Sequence, residues 1–273
     1  MRISAFVVPF FSVIAGVVGL NLRLSELNNV FDPVTGLPSR NAATTSWLII
    51  LSMVFMLCVV VFAIKVAAKH KALPGFENAF GTDPFIYPVI FVIIGILWIV
   101  GTFMYFSFLN RVNAVSLNDI YFIAFSIISA VSTAFFAIEM YKDSRRNAAY
   151  ALSIIPTIFM CFWLIFLYRH NASNPVLLVY VYQCLAIVAS ALGFYFTSGF
   201  LYGKPAPGKS IVTYYAAIYF CFVSLADNLP SGIKLILCAL IAINLVHSTM
   251  LIKNLQRKND MFFENDNLYS SNS

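Results

Sequence analysis

The sequence predicts an all-α, polytopic membrane protein of about eight transmembrane helices, with both termini on the cytoplasmic side. Of its 273 residues, 61% are hydrophobic and 10% are charged, whereas a soluble domain has roughly half apolar and about a quarter charged residues. The apolar excess comes in eight stretches that lack Asp, Glu, Lys and Arg, and a span needs about 20 mainly apolar residues. Lys and Arg are also unequally divided between alternate connections, which sets the orientation.

We expect the eight spans to form a single bundle over residues 1–258. Their approximate predicted bounds are 3–22, 45–66, 86–109, 119–140, 149–168, 175–200, 209–227 and 233–252.

The first apolar stretch has two interpretations. An apolar run after Met-Arg is typical of a signal peptide as well as of a membrane anchor. The run ends in Val18-Gly19-Leu20-Asn21-Leu22, which lacks a small-x-small cleavage pattern. We therefore expect a retained anchor; a cleaved signal would leave seven helices and an outside N-terminus.

Most later spans follow directly from their length, and two need comment. The sixth charge-free run starts with the polar segment 170–174, so its helix is expected to begin at Pro175, a residue that favours the first helical turn. The seventh run, 210–226, has only 17 residues. At 1.5 Å per residue it covers about 26 Å of a hydrocarbon core of about 30 Å, which makes it the shortest predicted span.

The orientation follows from the basic residues. Twelve of the 17 Lys and Arg residues lie in the N-terminus, in the second, fourth and sixth connections and in the tail, against five on the opposite side. Short connections rich in Lys and Arg stay in the cytoplasm. The tail, residues 259–273, is polar and without helical periodicity, and it is expected to be disordered.

Polar residues inside the spans give a candidate pocket. Hydrocarbon offers such side chains no hydrogen-bond partner, so they are expected to face protein or a cavity. We predict that the pocket is aromatic and uncharged, with hydrogen bonds between helices as the alternative role of its residues. The candidates are Gln183, Tyr215, Tyr219, Asn244 and His247.

Charged residues sit at the edges of the charge-free runs. A charge in mid-membrane costs about 2.5–3.5 kcal/mol and usually marks an ion or proton path, so its absence argues against a proton pump or a voltage sensor. Asp227 and Lys234 flank the turn between the last two spans. They are the candidate outer mouth, although interfacial charges commonly do no more than end a span.

No catalytic motif is found: the three histidines do not form an HExxH pattern, and nucleophile-elbow and phosphate-loop motifs are missing. We therefore expect no enzyme activity and no catalytic, cofactor or metal site. The expected partners are the lipid bilayer and either a second copy of this chain or another membrane protein, but not nucleic acid. The cell membrane is the expected location, since no retention signal is present.

Two functional hypotheses remain. The first is a small permease for an uncharged or weakly polar solute. The second is an accessory or scaffold subunit of a membrane complex. Small residues four apart allow close helix packing, and such rows are Ser12 with Gly16, Ala15 with Gly19, Ser126 with Ala130, and Ser129 with Thr133.

Overall fold

The computed structural model describes residues 4–31, 43–71, 76–81, 85–142, 146–172, 176 and 179–257. The predicted disordered tail, residues 259–273, lies outside the described residues. The described chain is helical apart from turns and one pair of two-residue strands. Its helices are α1 (Ser4–Asn29), α2 (Ala43–Lys69), α3 (Phe76–Phe80), α4 (Ile86–Arg111), α5 (Leu117–Lys142), α6 (Arg146–His170), α7 (Val181–Leu201), α8 (Pro207–Ser224) and α9 (Ser231–Asn254).

Seven of these helices are long and apolar enough to cross a membrane: α1 from Pro9 onward, α2, α4, α5, α6, α7 and α9. The remaining long helix, α8, has 18 residues, and it corresponds to the shortest span that the sequence predicts. The prediction of a polytopic helical membrane protein is confirmed, and the predicted number of about eight spans is close.

The outward faces of the long helices are apolar. On α2, Met53 and Leu57 are each 68% exposed and Ile64 is 64% exposed. A water-soluble protein rarely leaves apolar surface of this extent uncovered. These faces are therefore the ones that lipid covers.

Six helices close into a ring. In ring order they are α4, α5, α6, α7, α8 and α9, and α9 packs back against α4. Helices α1 and α2 pack on the outside of the ring, mainly against α8. As a result, 13 of the 18 residues of α8 are buried, because α8 has neighbours on both sides.

Two close approaches fix this arrangement. A methyl group added at Gly232 of α9 would overlap the backbone nitrogen of Tyr105 and the carbonyl oxygen of Gly101 on α4. On the other side of the ring, a methyl group at Gly16 of α1 would lie 2.8 Å from the Cβ of Phe222 on α8. Small residues therefore allow backbones to approach at both contacts.

The short helix α3 closes one end of the ring. Phe76 and Phe80 are buried, and the Phe80 ring lies 5.1 Å from the ring of Phe200 on α7. The amide of Asn254 donates a hydrogen bond to the carbonyl oxygen of Ala79 at 3.2 Å. At the same end, β1 (His70–Lys71) pairs antiparallel with β2 (Gln256–Arg257), which ties the end of α2 to the end of α9.

Candidate functional site

The interior of the six-helix ring holds two cavities, one in each half of the protein. We call the half that contains the turn between α8 and α9 the Asp227 half, and the half that α3 closes the His247 half. The cavity of the Asp227 half has a volume of about 280 Å³, and that of the His247 half about 20 Å³. Trp98 on α4 and Phe159 on α6 lie between the two cavities along their helices, and their ring centres are 5.8 Å apart.

The first cavity lies where α4, α6, α7, α9 and the turn after α8 meet. Most of its walls are aromatic or aliphatic, including Tyr105, Trp163 and Phe166. Its polar lining includes Gln183 and Asp227. An apolar cavity with a few convergent polar groups is the usual form of a small-molecule site.

A buried ion cluster lies behind this cavity. Arg23 donates from Nε to Oδ1 of Asp227 at 2.8 Å and from Nη1 to Oε2 of Glu26 at 2.6 Å. The side chains of Arg23 and Glu26 are fully buried. The guanidinium also lies 5.1 Å from the ring centre of Tyr182, and Thr45 donates to Glu26 at 2.7 Å.

The cluster corrects two expectations from the sequence. The predicted first span, 3–22, ends just before Arg23 and leaves it in a connection, yet α1 continues through Arg23 and Glu26 to Asn29, so the protein does carry buried charges inside a helix. Asp227 was paired with Lys234 as an outer mouth, whereas the structure gives Asp227 the partner Arg23. Burial raises the pKa of Asp227 above its ordinary value, and the Arg23 guanidinium opposes this shift.

The second cavity surrounds His247. This side chain is buried, and its ring lies 5.0 Å from the Phe91 ring, 5.2 Å from the Phe80 ring and 5.8 Å from the Tyr214 ring. Its Nε2 atom has no hydrogen-bond partner within the described part of the chain. Hydroxyl groups complete the lining: Thr133, Ser153, Thr197 and Ser198. At about 20 Å³ the cavity has room for one water molecule, which needs at least about 10–15 Å³.

The structure divides the five predicted pocket residues among different places. Gln183 lines the cavity of the Asp227 half, and His247 lines that of the His247 half. Asn244 lies at the level between them and faces α7, where its Oδ1 would be 2.9 Å from a methyl group at Gly193. Two of the five residues therefore line the ring interior, in different halves.

Tyr215 and Tyr219 face away from the ring interior, toward α2. The Tyr219 ring stacks on Phe55 at 4.6 Å, and its hydroxyl shares a 2.8 Å hydrogen bond with Ser52. The Tyr215 ring lies 6.4 Å from Phe62. Both tyrosines pack α8 against α2, but only the Tyr219 hydroxyl forms a hydrogen bond there, because the buried Tyr215 hydroxyl has no partner among the described residues.

Several site residues were not predicted from the sequence. Trp163 gave no specific signal, because one tryptophan in an apolar run fits many positions. Arg23 and Glu26 did carry a signal, since a cation and an anion three residues apart share one helix face. Within the described residues, no group of three or more His, Cys, Asp or Glu side chains is placed to hold a metal ion.

Any functional conclusion rests on the site itself, because comparisons with known proteins found no match. No protein-family model matches the chain, and neither a curated protein nor a solved structure matches it.

Proposed function

We propose that the protein is a small permease that carries a polar solute through its six-helix ring. The observation that carries this proposal is the pair of cavities on the ring interior, one in each half, with Trp98 and Phe159 between them. A transporter needs a site that solvent reaches from one side while the other side is closed. Aromatic side chains on the path between two cavities supply such a barrier.

The two ends of the ring support this mechanism. At about 280 Å³ the cavity of the Asp227 half lies just below the range of about 300–1,000 Å³ typical of ligand sites, so it fits only a small solute. In the His247 half, Phe76 and Phe80 of α3 cover the ring, and the Phe80 ring contacts His247. Opening of the second side requires α3 to move, because its two phenylalanines fill the end of the ring.

The solute is expected to be polar, and the earlier reason for excluding charge no longer holds. The sequence argument for an uncharged solute rested on a lack of buried charges. Arg23, Glu26 and Asp227 form a buried cluster next to the larger cavity. Intramembrane ionisable groups are functional-site candidates by default.

Native mass spectrometry of the gently extracted protein, followed by uptake into proteoliposomes of any small molecule that it retains, tests the proposal. Gln183→Leu and His247→Leu are expected to abolish uptake, because each removes a polar group from one cavity. Asn21→Leu is the matched control: Asn21 is exposed, and its amide donates a hydrogen bond to the carbonyl oxygen of Val17, four residues earlier in its own helix. If the purified protein moves no solute and these variants behave like the control in cells, the permease proposal fails.

The accessory-subunit hypothesis has lost part of its support. Gly16 faces Phe222, and Gly19 faces Val223 and Tyr219, all on α8. This row of small residues thus serves packing within the protein, which removes it as an argument for a second protein. A stoichiometric partner chain in the same mass spectra would favour this hypothesis over transport.

We also propose a cell-membrane location with cytoplasmic termini, on the basis of the excess of Lys and Arg on that side. The Asp227 half then faces outward. Protease accessibility of a C-terminal tag in intact and permeabilised cells tests the orientation.

A further inference from the structure

The walls of the larger cavity favour a cationic ligand. Its lining offers the rings of Tyr105, Trp163, Phe166 and Tyr180 and the carboxylate of Asp227. No Lys or Arg is among the described residues that line it, and His170 is its only basic side chain. Ring faces attract cations within about 6 Å. An anionic ligand would find neither an ammonium nor a guanidinium group in this lining.

The charge balance of the ion cluster points the same way. One cation, Arg23, pairs with two carboxylates, Glu26 and Asp227. When all three groups are ionised, the cluster therefore has one excess negative charge. Each nitrogen of the guanidinium is engaged within the protein: Nε donates to Asp227, Nη1 to Glu26 and Nη2 to the carbonyl oxygen of Val179 at 3.2 Å. Asp227 lines the cavity and Glu26 does not. An uncompensated buried charge is unfavourable, so a cation in the cavity would relieve it.

Two further polar side chains line the cavity. Gln183 is 5% exposed and Trp163 is 1% exposed. The amide of Gln183 offers both a donor and an acceptor, and the indole nitrogen of Trp163 offers a donor. A ligand in the cavity can therefore bond to both side chains.

We propose that this cavity binds a small organic cation, whose ammonium group is neutralised by Asp227, whose apolar part packs on the aromatic walls, and whose polar group bonds to Gln183. The inference names the substrate class of the permease proposed above and rests on that proposal. A volume of about 280 Å³ limits the solute to a small molecule.

Binding of two pairs of probes that match in shape and differ in charge tests this inference. Choline is compared with 3,3-dimethylbutan-1-ol, and phenethylamine with phenethyl alcohol, by titration calorimetry of the full chain in lipid nanodiscs at neutral pH. In at least one pair, the cation is expected to bind about tenfold tighter than its neutral partner, which corresponds to ~1.4 kcal/mol. Equal affinity or no binding in both pairs overturns the proposal.

The Asp227→Asn variant then tests whether the Asp227 carboxylate causes the preference for cations. This variant removes one charge and keeps the side-chain shape, and Arg23 retains Glu26. The cation is expected to lose its preference, while the affinity of the neutral partner stays the same and shows that the site is intact. Glu139→Gln, a carboxylate of the other half, is the charge-matched control and should keep the preference. A preference that survives in Asp227→Asn overturns the assignment.

The outcomes separate this inference from the proposed function. Binding is measured without any flux, so cation preference without uptake would contradict the permease and leave the cation site in place. Uptake of a neutral solute without cation preference would support the permease and contradict the cation site.

Discussion

The two halves of the ring bury their polar groups in different ways. The Asp227 half buries charges and compensates them with directional bonds: Arg23 reaches Asp227 at 2.8 Å and Glu26 at 2.6 Å. The His247 half buries a single imidazole among rings 5.0–5.8 Å away. The rings around His247 meet it at interplanar angles from 32° to 67°, whereas charge-assisted bonds fix both distance and direction. We therefore expect the Asp227 half to be more rigid and the His247 half to repack more easily.

In the proposed permease, this difference points to α3 as the moving part. Helix α3 has five residues; Phe76 and Phe80 pack against neighbouring rings, and the amide of Asn254 donates a hydrogen bond to the carbonyl oxygen of Ala79. A segment this short can open locally while the rest of the protein stays folded. Opening at α3 would leave the charge cluster intact, so the proposed solute site would keep its geometry while its exit changes.

Loss of Arg23 is expected to have the largest effect. Arg23→Met leaves two carboxylates buried without a cation, and removal of one partner of a buried pair costs about 3–5 kcal/mol. The measurement is thermal or denaturant unfolding of the purified protein. Arg111→Met is the control, because Arg111 is exposed at the end of α4 and such changes usually stay within about 0.5 kcal/mol.

A triple variant sharpens this result. Combining Arg23→Met with Glu26→Gln and Asp227→Asn removes all three charges and is expected to recover much of the loss, because neutral side chains can replace a buried ion cluster. Equal stability of Arg23→Met and Arg111→Met would mean that the cluster does not hold the Asp227 half.

The sequence predicted the spans better than their ends. Runs without charges coincide with the long helices because lipid excludes unpaired charge. The same rule ended the first span at Leu22, although α1 continues to Asn29. A charged residue can extend a span when a distant partner compensates it, and Asp227 lies 204 positions further along the chain. A single sequence does not show such a pairing.

The site was predicted in part for a similar reason. Polarity within an apolar run identified Gln183 and His247, and each lines a cavity. It also identified Tyr215 and Tyr219, which face α2. The chain determines that such a residue avoids lipid, but the rotation of each helix about its axis depends on contacts with several others. Polarity alone does not distinguish a cavity from a helix interface.

Gly232→Ala is expected to weaken the framework of the Asp227 half. The added methyl group would overlap backbone atoms of Gly101 and Tyr105, and overpacking costs about 1–3 kcal/mol. Because Tyr105 lines the larger cavity, the change should also reduce ligand binding. Ser231→Ala, at the exposed neighbouring position, is the control in the same unfolding measurement. An unchanged midpoint in both variants would mean that α4 and α9 separate without cost.

His247→Phe is expected to stabilise the protein, in contrast to Gly232→Ala. It removes a buried nitrogen that has no partner among the described residues, and such an atom costs about 1–3 kcal/mol. We expect a gain of ~1 kcal/mol in unfolding free energy together with loss of uptake, with Asn21→Leu, at an exposed position outside both cavities, as control. A loss of stability would show that the small cavity holds a water bonded to His247.

The smallest expected effect is a pH dependence from Asp227. Burial raises the pKa of this carboxyl above its ordinary value, against the opposing charge of Arg23. The folded state then holds the proton more tightly than the unfolded chain does. The stabilisation is full below the ordinary carboxyl pKa of ~3.9 and is lost as the pH rises from there through the raised value. The unfolding midpoint of the wild type relative to Asp227→Asn should therefore fall through this window and stay level above it. The two proteins differ only at position 227, so the difference between their midpoints reports on Asp227. A difference that grows with pH would mean that attraction by Arg23 outweighs burial, and the excess negative charge of the cluster would then belong to Glu26, away from the cavity.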